Sequence, residues 1–134
     1  GRSSDLIDDL VIGNPNDDPQ GRSDAGTMDI FIGQSAPWPR TIDTRNGNFP
    51  SSDDIKIYRV EGALGGNGGN RGDVLMYSAA YGDMDHDGIL DIITNEMTGE
   101  GPNSQANDVG NLIIMSGQFF FNGLLPQDDR WLID

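Results

Sequence analysis

Four aspartates and a glycine are crowded into the stretch Gly82-Asp83-Met84-Asp85-His86-Asp87-Gly88-Ile89-Leu90-Asp91. Counted from Asp83, the carboxylates fall at positions 1, 3, 5 and 9, and Gly88 falls at position 6. Packing of side chains alone has no use for this pattern. Ionised carboxylates so close repel one another and favour water over a crowded turn. A hard divalent cation removes the conflict, since Ca2+ takes about 6–8 oxygen ligands in an irregular shell. The expected ligands are Asp83, Asp85, Asp87, the backbone carbonyl of Ile89, and Asp91. Gly88 allows the sharp turn, having no Cβ to clash at positive φ. The bland alternative is an Asp/Gly-rich hairpin turn that holds no ion.

The flanks decide what kind of loop this is. A helix-loop-helix calcium motif carries a bidentate Glu at position 12. Here position 12 is Thr94, a poor substitute. Before the loop runs Val74-Leu75-Met76-Tyr77-Ser78-Ala79-Ala80-Tyr81, and after it Ile89-Leu90-Asp91-Ile92-Ile93-Thr94. Both are short apolar runs, the second rich in β-branched residues, which reads as strand, loop, strand.

The remaining apolar runs have the same character. Asp9–Gly13, Thr27–Gly33, Ile55–Val60 and Leu112–Ser116 are expected strands, separated by segments dense in Gly, Pro, Asn and Asp, and the apolar runs Phe119–Phe121 and Arg130–Ile133 close the chain. No convincing amphipathic helix is read. With 19 glycines and 35% hydrophobic residues in 134, the chain suits many short strands in one all-β region. The net charge of −14 argues against nucleic acid and anionic membrane surfaces as partners, and it suits bound cations. The chain has no cysteine, hence no disulfide. It contains no apolar run near the roughly 18 residues of a membrane span, and no signal peptide is read in it.

The strands repeat. Asp24-Ala25-Gly26-Thr27-Met28-Asp29-Ile30-Phe31-Ile32-Gly33-Gln34 matches Asp108-Val109-Gly110-Asn111-Leu112-Ile113-Ile114-Met115-Ser116-Gly117-Gln118 at an offset of 84. Upstream, Asp9-Leu10-Val11-Ile12 matches Asp91-Ile92-Ile93-Thr94. Such repetition points to a radial or stacked β architecture, in which no unit buries its faces alone.

The run from Gly82 to Ile93, then a variable loop, then Gly110 to Gly117, resembles an FG-GAP repeat, the blade motif of integrin α-subunit β-propellers and of many bacterial secreted proteins. Gly72-Asp73 followed by Ser78-Ala79-Ala80-Tyr81-Gly82 fits the Gly-Asp step before the family's calcium loop. The Phe-Gly and Gly-Ala-Pro signatures are eroded, the second surviving only as Gly13-Asn14-Pro15 and Asn95-Glu96-Met97. The resemblance implies four-stranded antiparallel propeller blades: an incomplete first blade over 1–62, and a second over 63–134 with the calcium loop between strands. It implies a non-catalytic calcium-binding segment, extracellular or at the cell surface, used in recognition or as a scaffold for a protein partner. The alternative is a pair of accessory blades that bind carbohydrate beside a secreted hydrolase or lyase. In this frame the first loop is degraded: Gly1, Ser3 and Asp5 stand where Asp83, Asp85 and Asp87 do. A second ion near Asp5 and Asp9 stays undecided.

Two blades cannot close a ring, since propellers use about four to eight. The chain is then part of a larger propeller, or copies of it associate, or its two sheets stack as a small sandwich. Other residues have plain readings. Arg71-Gly72-Asp73 spells an adhesion tripeptide but coincides with the ordinary step before the loop. Gly65-Gly66-Asn67-Gly68-Gly69 lacks the Lys-Ser/Thr of a phosphate loop. His86, the sole histidine, occupies a non-ligand position. Phe119, Phe120 and Phe121 cannot all face one side of a strand. Trp38, Tyr58 and Trp131 are the candidates for a sugar-stacking face. Nothing resembles a nucleophile with its base, or a carboxylate pair set in a dry cleft, so no enzyme is expected.

Overall fold

The computed structural model describes residues 7–45, 47, 49, 55–67, 69, 71–101, 106–121 and 130–133, for 120, 121 and 130–133 as backbone. The chain is all-β. Its strands are β1 (Leu10–Asn14), β2 (Thr27–Phe31), β3 (Ile57–Gly62), β4 (Leu75–Gly82), β5 (Asp91–Glu96), β6 (Asn111–Met115) and β7 (Arg130–Ile133). All seven fall on the expected apolar runs, within a residue or two at each end. Among the described residues two short helical pieces join them: a 3-10 turn at Pro19–Gly21, and α1 (Gln118–Phe121). A run of three aromatics that suits neither face of a strand is thus met by one helical turn.

Two sheets form. The first has the order β1-β2-β3-β7, antiparallel except for β7, which lies parallel to β3. The second has the order β4-β5-β6 and is antiparallel throughout. A four-stranded blade in the second half would keep β7 beside β6. Instead β7 pairs Arg59 with Arg130 and Gly62 with Ile133, on the far edge of the first sheet.

Register assigns the faces, because directly opposed residues point to the same side. One face of the first sheet presents Val11, Met28, Ile30, Tyr58 and Val60. One face of the second presents Leu75, Ile92, Ile113 and Met115. These two sets, with Met76, are the core cluster: Met28 and Leu75 are wholly buried and Ile30 is 2% exposed. At about 25 cal/mol per Å2 of apolar surface, each fully buried aliphatic side chain here contributes about 1.5–3 kcal/mol.

The start of β4 is irregular. Val74 and Met76 have φ of 53° and 66°, and the pairing with β5 shifts between Leu75 and Ala79. The distortion breaks the alternation of a flat strand, so that Val74, Leu75 and Met76 are all buried. It also brings Val74 N–H to the Asp24 carbonyl and Leu75 N–H to the Ala25 carbonyl, tying the second sheet to the loop before β2.

The hairpin β1–β2 and the hairpin β5–β6 share their details. Gly33 N–H donates to the Asp9 carboxylate at 2.7 Å, and Gly117 N–H to the Asp91 carboxylate at 2.9 Å. Asp24 and Asp108 have φ of 51° and 50°; Gly26 and Gly110 have φ of 84° and 81°. The turns after β1 and β5 are each closed by a 3.2 Å bond, Asp17 N–H to Asn14 and Gly99 N–H to Glu96. A Cβ on Gly33 would lie 2.3 Å from the Asp8 carbonyl oxygen, and one on Gly117 would lie 2.3 Å from that of Leu90. Backbone cannot withdraw from such an overlap as a side chain can. Gly33→Ala and Gly117→Ala are therefore each expected to destabilise the fold by about 1–3 kcal/mol. Urea unfolding of both variants checks this, and a midpoint unchanged in either would refute it.

Candidate metal centre

The loop between β4 and β5 is built by its own aspartates. Asp83 accepts from the N–H groups of Asp87 and Gly88, each at 3.0 Å. Asp85 accepts from Asp87 N–H at 3.2 Å, and Asp87 from Ile89 N–H at 2.7 Å. These are side chain-to-backbone turns of the kind short acidic residues make. The reversal is completed by His86 at φ 63° and Gly88 at φ 87°. His86 is exposed, as a non-ligand position should be.

Three of the expected ligands converge. One carboxylate oxygen from each of Asp83, Asp85 and Asp91 lies within 4.8 Å of the others. Two oxygens bound to one Ca2+ at about 2.4 Å can stand at most about 4.8 Å apart, so this spread fits a shared cation. Asp91 is buried, Asp83 half-buried and Asp85 exposed, which makes a shallow cup open on one side. Asp87 is not part of the convergence. Its carboxylate is taken by the Ile89 N–H and by the side-chain amide of Gln118 at the start of α1. Ile89 is placed by that N–H bond and by its side chain, whose Cγ2 packs against Gly117. A site formed by the described residues therefore draws on Asp83, Asp85 and Asp91, while Asp87 fixes the loop to the end of the β5–β6 hairpin.

Asp91 is the best-held of the group. It accepts from Gly117 N–H through one oxygen and from Met84 N–H at 2.7 Å through the other. These two bonds, Gly117 first, hold its carboxyl below the usual carboxylate range, against the opposing effect of burial. The negative charge is thus fixed at the floor of the cup. Asp9 makes the matching bond to Gly33 in the first hairpin. Positions 1–6, where Asp5 and the rest of a first loop fall, lie outside the described residues.

A second charged centre was not expected from the sequence. Arg59, 2% exposed, is clamped by Asp29 at 2.6 and 2.8 Å, donates to the Thr44 carbonyl and lies 5.2 Å from the centre of the Phe49 ring. Burial works against its charge, but Asp29, with Asp17 and Glu61 further off, outweighs it and raises the pKa. The available signal was a charge of opposite sign at the middle of each of two neighbouring apolar strands. The arrangement holds β2, β3 and the segment near Thr44 together. Of the aromatics proposed for sugar stacking, Trp38 packs edge-on against Phe31, and Tyr58 belongs to the core on the opposite face of the first sheet. The side chain of Trp131 lies outside the described residues. Asp73 of the adhesion-like tripeptide is buried and accepts from Leu64 N–H, which uses it as scaffold.

No protein-family model, no curated protein and no solved structure matches the chain.

Because folding lowers the pKa of Asp91, its contribution to stability is complete above the unfolded value, near pH 4, and is lost as pH falls through the folded value. Ion-free protein is expected to lose stability in acid, and Asp91→Asn is expected to flatten that loss. Urea midpoints of both proteins between about pH 2.5 and 6 decide the point. Parallel curves would show that Asp91 is not a source of the acid sensitivity.

Proposed function

We propose that the chain is a non-catalytic, calcium-binding segment of β-propeller type, acting in recognition or as a scaffold outside the cell or at its surface. The observation that carries this reading is the convergence of the Asp83, Asp85 and Asp91 carboxylates within the reach of one cation, in a loop between two paired strands. The resemblance to FG-GAP blades gives the same loop the same task. An ion there would tie three points of the chain: the exit of β4, the loop itself and the entry of β5. Its binding energy would add to the stability of the fold. Calcium near millimolar levels would fill even a site with a dissociation constant on the order of 10⁻⁴ M, which suits an extracellular module. Recognition of a protein partner is preferred to carbohydrate binding, because Trp38 and Tyr58 lie on opposite faces of one sheet and make no common platform.

Calorimetric titration of calcium into EDTA-stripped protein tests the reading. One saturable site is expected, with a melting temperature raised by on the order of 10 °C at a hundredfold excess over the dissociation constant. Asp83→Asn and Asp91→Asn should each abolish the heat. Asp87→Asn should weaken binding less, since its carboxylate is engaged by Gln118. Absence of both heat and thermal shift in the parent protein removes the proposal.

A further inference from the structure

We infer that the chain assembles with copies of itself head to tail, the outer face of β4-β5-β6 in one copy covering the β1 side of the first sheet in the next. The basis is the sheet interface already present within one chain. There, Val11, Met28 and Ile30 of the first hairpin share one core cluster with Ile92 and Met115 of the second and with Leu75 and Met76 of β4. The hairpins are equivalent residue by residue, so each face of one has a counterpart in the other. The counterparts of Val11, Met28 and Ile30 are Ile93, Leu112 and Ile114, which share the outer face of the second sheet. Met28 and Ile30 are 0% and 2% exposed, whereas Leu112 and Ile114 are 73% and 52% exposed. The counterparts of Ile92 and Met115 are Leu10 and Phe31, on the outer face of the first sheet. Leu10 is 56% exposed, and beside it Ile12 is 42% exposed, whereas Phe31, 7% exposed, already packs against Trp38 and Phe49.

The two open faces are thus the two halves of an interface that the chain builds once internally. Continuing it outward repeats the hairpin-to-hairpin part of that contact. The first sheet also offers a receiving cleft of about 340 Å3, lined by Leu10, Ile12, Phe31, Trp38, Pro39 and Ile42 among others. Aliphatic side chains such as Leu112 and Ile114 suit such a cleft. The patches carry little charge: Asn95, opposite Leu112 and bonded to Ser78, flanks the donor face, and among the described residues Asp8 is the one charged residue lining the cleft. The contact is heterologous, one surface meeting a different one, so it propagates into a ring or an open filament. The inference rests on the sheet faces and not on the bound ion.

Charge sets how the assembly responds to salt. Each copy carries −14, so copies repel at low ionic strength. Raising salt from 0.01 to 0.15 M shortens the screening length from about 30 to about 8 Å and relieves that repulsion. Self-association should therefore strengthen with salt, whereas docking of a basic partner would weaken.

The test is sedimentation of the full chain over a range of concentrations at low and high salt, with and without EDTA. The parent protein should grow in mass with concentration, more so at high salt. Two double variants separate the faces: Leu112→Glu with Ile114→Glu spoils the donor face, and Leu10→Glu with Ile12→Glu spoils the receiving face. Each alone should stay monomeric, with circular dichroism unchanged. An equimolar mixture should give 1:1 dimers and nothing larger, because each variant keeps one working face. If either pair of Glu substitutions unfolds the chain, Leu112→Ser with Ile114→Thr and Leu10→Ser with Ile12→Thr take their places. A parent protein that stays monomeric at both salts overturns the inference. So does a parent that associates while the variants associate equally, or a mixture that forms no dimers. Growth that survives EDTA leaves the assembly independent of calcium; growth that vanishes with EDTA overturns the assignment to the sheet faces.

Discussion

Two small sheets hold this chain together through one apolar contact, and every other feature depends on it. Neither hairpin buries both of its faces, and neither has enough strands to stand alone in water. Met28, Ile30 and Val60 on one side and Leu75, Ile92 and Met115 on the other supply the burial each sheet lacks. The contact sets where β4 begins. The strained turn at Val74 and Met76 is tolerated because it delivers three successive side chains to that core. With β4 fixed there, the loop that follows it opens at the far end of the second sheet.

Asp91 links this packing to the chemistry of the loop. It is the first residue of β5, and its pairing with Gly82 of β4 holds its backbone. One of its oxygens secures the end of β6 and the other secures the loop. The charge that faces Asp83 and Asp85 is therefore part of the sheet, while the other two carboxylates ride on the turn. The same carboxylate-to-glycine bond, between Asp9 and Gly33, fastens the first hairpin. The bond is thus a fastening common to both hairpins, and cation binding in the second would be built on top of it.

The strands were legible because the apolar runs are short, β-rich and bounded by turn residues. The loop was legible because its spacing is chemical: Asp83, Asp85 and Asp91 come together as their positions imply. Asp87 did not follow the pattern, since its partner Gln118 lies 31 residues away and no local rule anticipates that bond. The placement of β7 was hidden for the same reason. Its short apolar run suits a strand, but the choice between the β6 edge and the β3 edge is a matter of tertiary pairing. The Arg59–Asp29 clamp was visible only as two charges in apolar surroundings, and their register was needed to join them.

The parallel pairing of β7 with β3 has a consequence for how the chain reaches its fold. Arg59 meets Arg130, and Gly62 meets Ile133, across more than half the sequence. Until those late residues arrive, β3 is a bare edge with a row of unanswered backbone groups, next to a face that is still uncovered. Long-range pairings of this kind form slowly, because the loop must close before the contact rewards it. A growing chain thus carries an adhesive margin while the 67 residues between β3 and β7 are made, and β7 works as the seam that removes it.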